Sequence, residues 1–206
     1  MTEQVVLPKT PAITFAWVIS VLLHPFVMAI AMFLYLPWRA GQTGAAYPLT
    51  ALFFLFFSVL APLLYLKWQQ ARGRIDDLDI RDRRKRQRYY NDFLILYALQ
   101  LLLAIWLFDS SILWAYAFGY LVNTALYAFI NRTWKISIHG AGVGGPTGIL
   151  LFLEGGQYWP LIFLVIPLLW SRVKLRYHTP AQVISGATLG GALFYLEMLV
   201  ANRLWP

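Results

Sequence analysis

Apolar residues run along this chain in seven long stretches, at 12–37, 47–68, 93–108, 111–130, 140–154, 158–170 and 182–200. A helix needs about 20 mostly apolar residues to cross roughly 30 Å of hydrocarbon, at about 1.5 Å per residue. Two stretches, 140–154 and 158–170, are short and draw on flanking residues such as Trp159 and Trp170. The connections at 38–46, 109–110 and 155–157 are brief, whereas those at 69–92, 131–139 and 171–181 hold most of the charge. The pattern predicts an all-α polytopic transmembrane helical bundle of six to seven spans. With no repeat or low-complexity tract it forms one integral membrane domain, 1–206, with a first span and loop (1–46) followed by a helical core (47–206).

Composition agrees. Hydrophobic residues make up 60% of the 206 positions and charged residues 13%, with a mean hydropathy of +0.60; a soluble domain carries about 25% charge. The first eleven residues hold few positive charges, and the run after them is longer than a signal-peptide core, so 12–37 is expected to stay as a span. Cysteine is absent, which excludes disulfides and thiolate chemistry. In such a chain a net charge of +8 points to a lipid bilayer with anionic headgroups, and not to nucleic acid.

Of the 17 Lys and Arg residues, only Arg39 and Arg203 fall on the side opposite the N-terminus. The bias survives removal of every base that could bind phosphate. The positive-inside rule then predicts a cytoplasmic N-terminus and cytoplasmic charged connections, in a multi-pass protein of a bacterial inner (cell) membrane. Trp38, Trp68, Trp134, Trp159, Trp170 and Trp205 lie near span ends and read as an anchoring belt. Within the spans, His24, Gln100, Asn123 and Glu197 each need a partner in lipid, and Glu197 reads as a packing or interfacial group.

Few groups can do chemistry. In the third charged connection Ser171 and Arg172 are followed, five residues later, by His178, with Thr179-Pro180 placed to open the next helix. An Arg fork matches phosphate oxygens, and a neutral imidazole can attack phosphorus. The bland reading is three positive-inside bases and an interfacial histidine. The second connection carries Asn131, Arg132, Lys135, Ser137 and His139, then Gly140, Gly142, Gly144 and Gly145. Those glycines suit close approach of an anion to a helix N-terminus, or helix packing of the small-xxx-small kind. Two apolar stretches separate the histidines, so both face the same side of the membrane. The first connection packs eight bases and four acids between Arg72 and Arg88. Most of these read as a solvated, lipid-facing set, but Arg81 and Arg88 are two helical turns apart and could face one anion.

These strings resemble the signatures of the type-2 phosphatidic acid phosphatase (PAP2) superfamily, K-x6-R-P, P-S-G-H and S-R-x5-H-x3-D, over roughly residues 70–200. Ser171, Arg172 and His178 match the third signature up to its last position, where Gln182 stands in place of Asp. Ser137-Ile138-His139 is similar to the second, with Ile136 where Pro is usual, and Arg81–Arg88 to the first, with Arg83 and Arg86 as rival choices. Two spans lie between the first and second signatures, where many members have only a loop.

The resemblance implies a PAP2-like core and a hydrolase that cleaves a lipid phosphate, such as phosphatidic acid, or an isoprenoid diphosphate. No metal or other cofactor is implied. In that scheme His178 forms a phosphohistidine and His139 protonates the leaving oxygen. Arg172, with Ser171, Ser137, Lys135 and arginines of the set Arg81, Arg83, Arg86 and Arg88, holds the phosphoryl oxygens. Gln182 accepts the imidazole N–H without the carboxylate's charge, so the nucleophile is expected to be slower, or another acid to be recruited. Two alternatives are a catalytically degenerate PAP2-like lipid-binding protein and a prenyltransferase of the UbiA type. The latter would use Asp76, Asp77, Asp79 and Asp82 to bridge Mg²⁺ to a diphosphate.

Overall fold

A computed structural model describes residue 8 and residues 10–204; Trp205 and most of the N-terminal tail lie outside the described residues. The described chain is helical throughout, without a strand. Helices α1 (Pro11–Leu22) and α2 (Pro25–Arg39) are followed by α3 (Ala46–Leu55), a π-helical turn (Phe56–Leu60) and α4 (Ala61–Ala71), which together make one long segment. Next come α5 (Arg83–Leu107), α6 (Ser111–Asn131) and α7 (Ile138–Leu153). A 3₁₀ segment (Gly156–Leu164), α8 (Val165–Lys174) and α9 (Pro180–Leu204) complete the chain. Five segments are long and apolar enough to cross a membrane: Pro11–Arg39, Ala46–Ala71, α5, α6 and α9. The protein is therefore read as a multi-pass integral membrane protein.

Two apolar stretches differ from the simple expectation. The run 12–37 is not one straight span, because Pro25 forces the residue before it out of helical geometry. His24 accordingly sits extended (φ −67°, ψ 141°), and its Nδ1 accepts the Phe26 N–H at 3.1 Å, capping α2. The stretch 158–170 is half 3₁₀ turn and half α8, and the 3₁₀ part buries none of its residues.

The centre of the bundle is the contact between α7 and α9. On α7, Gly140, Gly144 and Gly148 recur every four residues and form one bare stripe. A Cβ on each would collide with the carbonyls of Val183, Ala187 and Gly191 respectively. Gly186 of α9 makes the reciprocal approach to the Ser137 carbonyl. The other two glycines are also packing sites, Gly142 against Pro25 and Gly145 against the Phe194 ring. Ser137 N donates to Gln182 O at 3.2 Å, so the two helices start side by side and run parallel.

Around this pair, α2 runs the length of α7. Its His24 ring lies 4.8 Å from that of His139, and its Arg39 Nε is 2.8 Å from Glu154 Oε1 at the far end. An apolar core of Phe33, Leu36, Phe54, Tyr116, Ile149 and Met198 fills the space between α2, α3, α6, α7 and α9. Helix α1 instead packs on the end of α8, where the Phe15 and Trp170 rings meet at 5.8 Å.

The glycine stripe makes a sharp prediction. Gly144→Val should lower stability by about 3 kcal/mol, because overpacking forces the backbones apart. Gly156→Ala, where a Cβ would touch nothing within 4 Å, should be silent. Thermal unfolding of the purified protein in detergent tests both; equal melting temperatures for the two variants would contradict the packing account.

Candidate functional site

The parallel starts of α7 and α9 bring His139 and His178 to one end of the bundle. Thr179 and Gln182 form a reciprocal cap at α9. Gln182 N lies 3.4 Å from Thr179 Oγ1, and Gln182 Oε1 accepts the Thr179 N–H at 3.1 Å. The same Oε1 lies 3.1 Å from His178 Nδ1. An amide oxygen only accepts, so the proton resides on Nδ1 and Nε2 carries the lone pair. Burial, and then the positive charges of Arg86, Lys135 and Arg172, push the His178 pKa down to about 3. The ring is a neutral base in positive surroundings, as an anion-binding nucleophile needs to be.

Arg172, at the last turn of α8, is only 1% exposed. Its Nη1 donates to Ser20 Oγ at 2.7 Å and to Asp79 Oδ2 at 2.8 Å, and lies 3.4 Å from His139 Nε2. Its guanidinium stacks on the Tyr177 ring at 4.2 Å. Asp79 comes from the connection between α4 and α5, anchored by buried Ile75 and Ile80. Its other oxygen, Oδ1, lies 3.6 Å from His139 Nδ1. Burial alone would raise the Asp79 carboxyl, but the His139 ring and the Arg172 guanidinium outweigh it and hold the pKa well below the carboxylate range. Asp79 is thus the acid of this site, a role the sequence pattern offered only as one of four aspartates in a loop.

The phosphate-binding candidates divide into two groups. Arg86 and His178 line the cavity; Arg86 donates to Ile136 O at 3.0 Å and Ile80 O at 2.9 Å, and Lys135 Nζ donates to Tyr177 O at 3.0 Å. Burial, then the charges of Arg86 and Arg172, lower Lys135 to about 8. The rest are engaged elsewhere. Ser171 Oγ donates to Ala16 O at 2.6 Å, Ser137 Oγ caps α7 by accepting the Gly140 N–H at 3.2 Å, and Arg83 is spent on the carbonyls of Asn131 and Arg132. The expected pairing of Arg81 with Arg88 is corrected. Asp82 caps α5 so that the helix starts at Arg83; Arg81 lies before it, stacked on Tyr177 at 4.3 Å, and Arg88 is exposed.

The four aspartates do not converge on one cation. Asp76 lies 3.7 Å from Lys85, Asp77 accepts from the Tyr177 hydroxyl at 2.8 Å, Asp79 pairs with Arg172, and Asp82 caps α5. Among the described residues, His24, Asp79 and His139 bring ligand atoms within 4.8 Å of one another. Their tautomers oppose a metal there. Accepting the Phe26 N–H puts the His24 proton on Nε2, and Arg172 faces His139 Nε2 as a donor, which leaves the His139 proton on Nδ1. Sequence reasoning marks His24 only as a polar residue within a span in need of a partner; the His24-Pro25 break is the signal that it stands at a helix start beside His139.

Below these groups a cavity of about 230 Å³ extends into the bundle between α2, α4, α5, α6, α7 and α9, walled mainly by aromatic and aliphatic side chains. The chain matches no family model, no curated protein and no solved structure.

Removing Asp79 would leave the Arg172 guanidinium buried without its counter-ion. Asp79→Asn should therefore cost about 3 kcal/mol, and Asp79→Asn with Arg172→Met should recover most of it. Because the folded pKa is depressed, the contribution of Asp79 is complete above its ordinary value of 3.8 and is lost as pH falls through the folded value. Melting temperatures of the three proteins at pH 7 decide this; a double variant no better than the single would refute it.

Proposed function

We propose that this protein is a membrane phosphatase of the PAP2 type, acting on a lipid phosphate or isoprenoid diphosphate through a phosphohistidine. The observation that carries the reading is the state of His178: a buried, neutral imidazole with its Nδ1 proton held by Gln182, facing Arg86, Lys135 and Arg172. In this reading Nε2 attacks phosphorus and the P–O bond to the lipid breaks. His139, neutral at rest, takes up a proton once a phosphoryl group replaces Asp79 on Arg172 and frees that carboxylate for the ring. As imidazolium it gives this proton to the departing oxygen. Asp79 beside His139 stabilises that imidazolium, supplying at the second histidine the carboxylate that the family signature places at the first. Water deprotonated by His139 then attacks phosphorus, releasing phosphate and free His178. Arg86, Lys135 and Arg172 carry the charge on the phosphoryl oxygens. The bias of basic residues supports a cytoplasmic position for this end of the bundle.

One observation favours a second reading. Asp79 already occupies Arg172 at 2.8 Å, as it would in a degenerate protein that binds lipid headgroups without turnover. Turnover separates the two. Purified wild-type protein should release phosphate from lipid phosphates without added metal, and His178→Ala should lower the rate by at least about a thousandfold. Vanadate binding with no turnover in wild type would favour the degenerate scaffold, and full activity in His178→Ala would eliminate the phosphohistidine.

A pH profile tests the binding groups. Lys135 is charged below its pKa of about 8 and neutral above it, so kcat/KM should fall on the alkaline side with a midpoint near that value. Lys135→Arg should move this limb to higher pH, and a limb unmoved by the substitution would remove Lys135 from the site.

A further inference from the structure

His24 has one ring nitrogen engaged and one free. At the break between α1 and α2 its Nδ1 accepts the Phe26 N–H at 3.1 Å, which places the ring proton on Nε2. Among the described residues this Nε2–H has no hydrogen-bond partner. The His24 side chain lines the cavity together with Asp79, His139 and His178. A ring nitrogen of His24, a ring nitrogen of His139 and a carboxylate oxygen of Asp79 lie within 4.8 Å of one another. The two imidazoles meet edge to face, with their centroids 4.8 Å apart.

Asp79 needs another donor as soon as it loses Arg172. At rest its Oδ2 accepts from the Arg172 guanidinium at 2.8 Å, whereas Oδ1 lies 3.6 Å from His139 Nδ1, beyond a good hydrogen bond. A phosphoryl group on Arg172 would leave this carboxylate inside the protein without its counter-ion, which is costly unless other donors receive it. Lys135 and Tyr177 also feel the Asp79 charge. Lys135 is turned to the Tyr177 carbonyl, however, and the Tyr177 hydroxyl to Asp77. His24 faces the carboxylate from the start of α2 with an N–H that nothing else holds.

We propose that His24 is a positioning residue for the phosphoryl transfer. When the phosphoryl group takes Arg172, His24 Nε2–H donates to the displaced Asp79 carboxylate and holds it against His139. The His139 imidazolium then forms beside a fixed negative charge. His24 itself neither touches phosphorus nor transfers a proton. The effect on rate rests on the phosphatase reading; the movement of Asp79 between Arg172 and the two histidines rests on the geometry alone.

Two substitutions separate the two ring nitrogens. His24→Asn keeps an acceptor for the Phe26 N–H, since Asn is a good N-cap, and removes the Nε2 donor. His24→Gln keeps an N–H donor at about the reach of Nε2 and loses the cap. His24→Asn should melt like wild type, yet lower kcat by at least about tenfold with KM little changed. It should also move the alkaline limb of kcat, set by His139 in the complex, to lower pH. His24→Gln should melt lower and keep most of kcat. A kcat that follows the melting temperature in both variants would make His24 a helix cap only and overturn the proposal. The chain has only three histidines, so NMR of histidine-labelled protein reads each ring without turnover. Saturating inorganic phosphate at pH 7 should convert His139 to imidazolium in wild type and not in His24→Asn. That result in a wild type that hydrolyses no lipid phosphate would end the phosphatase reading and keep the role of His24. A His139 ring neutral in both proteins, or charged in both, would overturn that role.

Discussion

The backbones of α7 and α9 can touch because α7 presents glycine every fourth residue and α9 answers with Ala187, Gly190 and Gly191. Lipid tails are as apolar as leucine, so burying apolar area does little to hold helices together in a bilayer; close packing does more. This contact also fixes direction. Ser137 N bonds to Gln182 O, which places the first turns of two parallel helices side by side. Every group of the candidate site is positioned from that junction. His139 sits in the first turn of α7, His178 just before α9, and Arg172 reaches the same level because α8 runs back between them.

A charge buried at that junction sets the second constraint. Arg172 is almost wholly enclosed and would be intolerable alone. It draws partners from elements far apart in the chain, Ser20 from α1 and Asp79 from the connection before α5. The break at His24 is part of the same solution. By ending α1 there, the chain can lay α1 against α8, where Ala16 and Ser20 meet Ser171 and Arg172, and still send α2 down the side of α7. Asp79 meanwhile stands between two roles. It neutralises Arg172 at rest, and in the proposed reaction it supports His139 once a phosphoryl group takes its place on the guanidinium.

Much of this was legible in the residues. The helical membrane class follows from composition and run length, and the shared side of the histidines from the two stretches between them. The glycine spacing held packing open as one of two readings, and the structure uses all four of the glycines singled out after His139 for packing. What could not be read is where connections travel. Nothing local distinguishes Asp79 from Asp76 or Asp77; the difference is that Ile75 and Ile80 bury themselves and carry Asp79 inward. The arginine register failed for a local reason that was visible. Asp82 is a good N-cap, and a helix starting at Arg83 cannot place Arg81 on its face.

Gln182 shows how one side chain can answer two demands at once. The first is helical: Thr179-Pro180-Ala181-Gln182 is a capping box, in which the fourth residue must reach back to the Thr179 N–H, and Gln or Glu has the required length. Asp would be one methylene shorter. The second is chemical: the oxygen that makes this bond also holds His178 Nδ1. A glutamate could have done both with a charge, but that charge would sit beside the cationic pocket and compete with an incoming anion for Arg86, Lys135 and Arg172. A neutral amide orients the imidazole and leaves the pocket's positive field for the ligand. The carboxylate moves instead to Asp79 beside His139, where the proposed proton transfer develops positive charge.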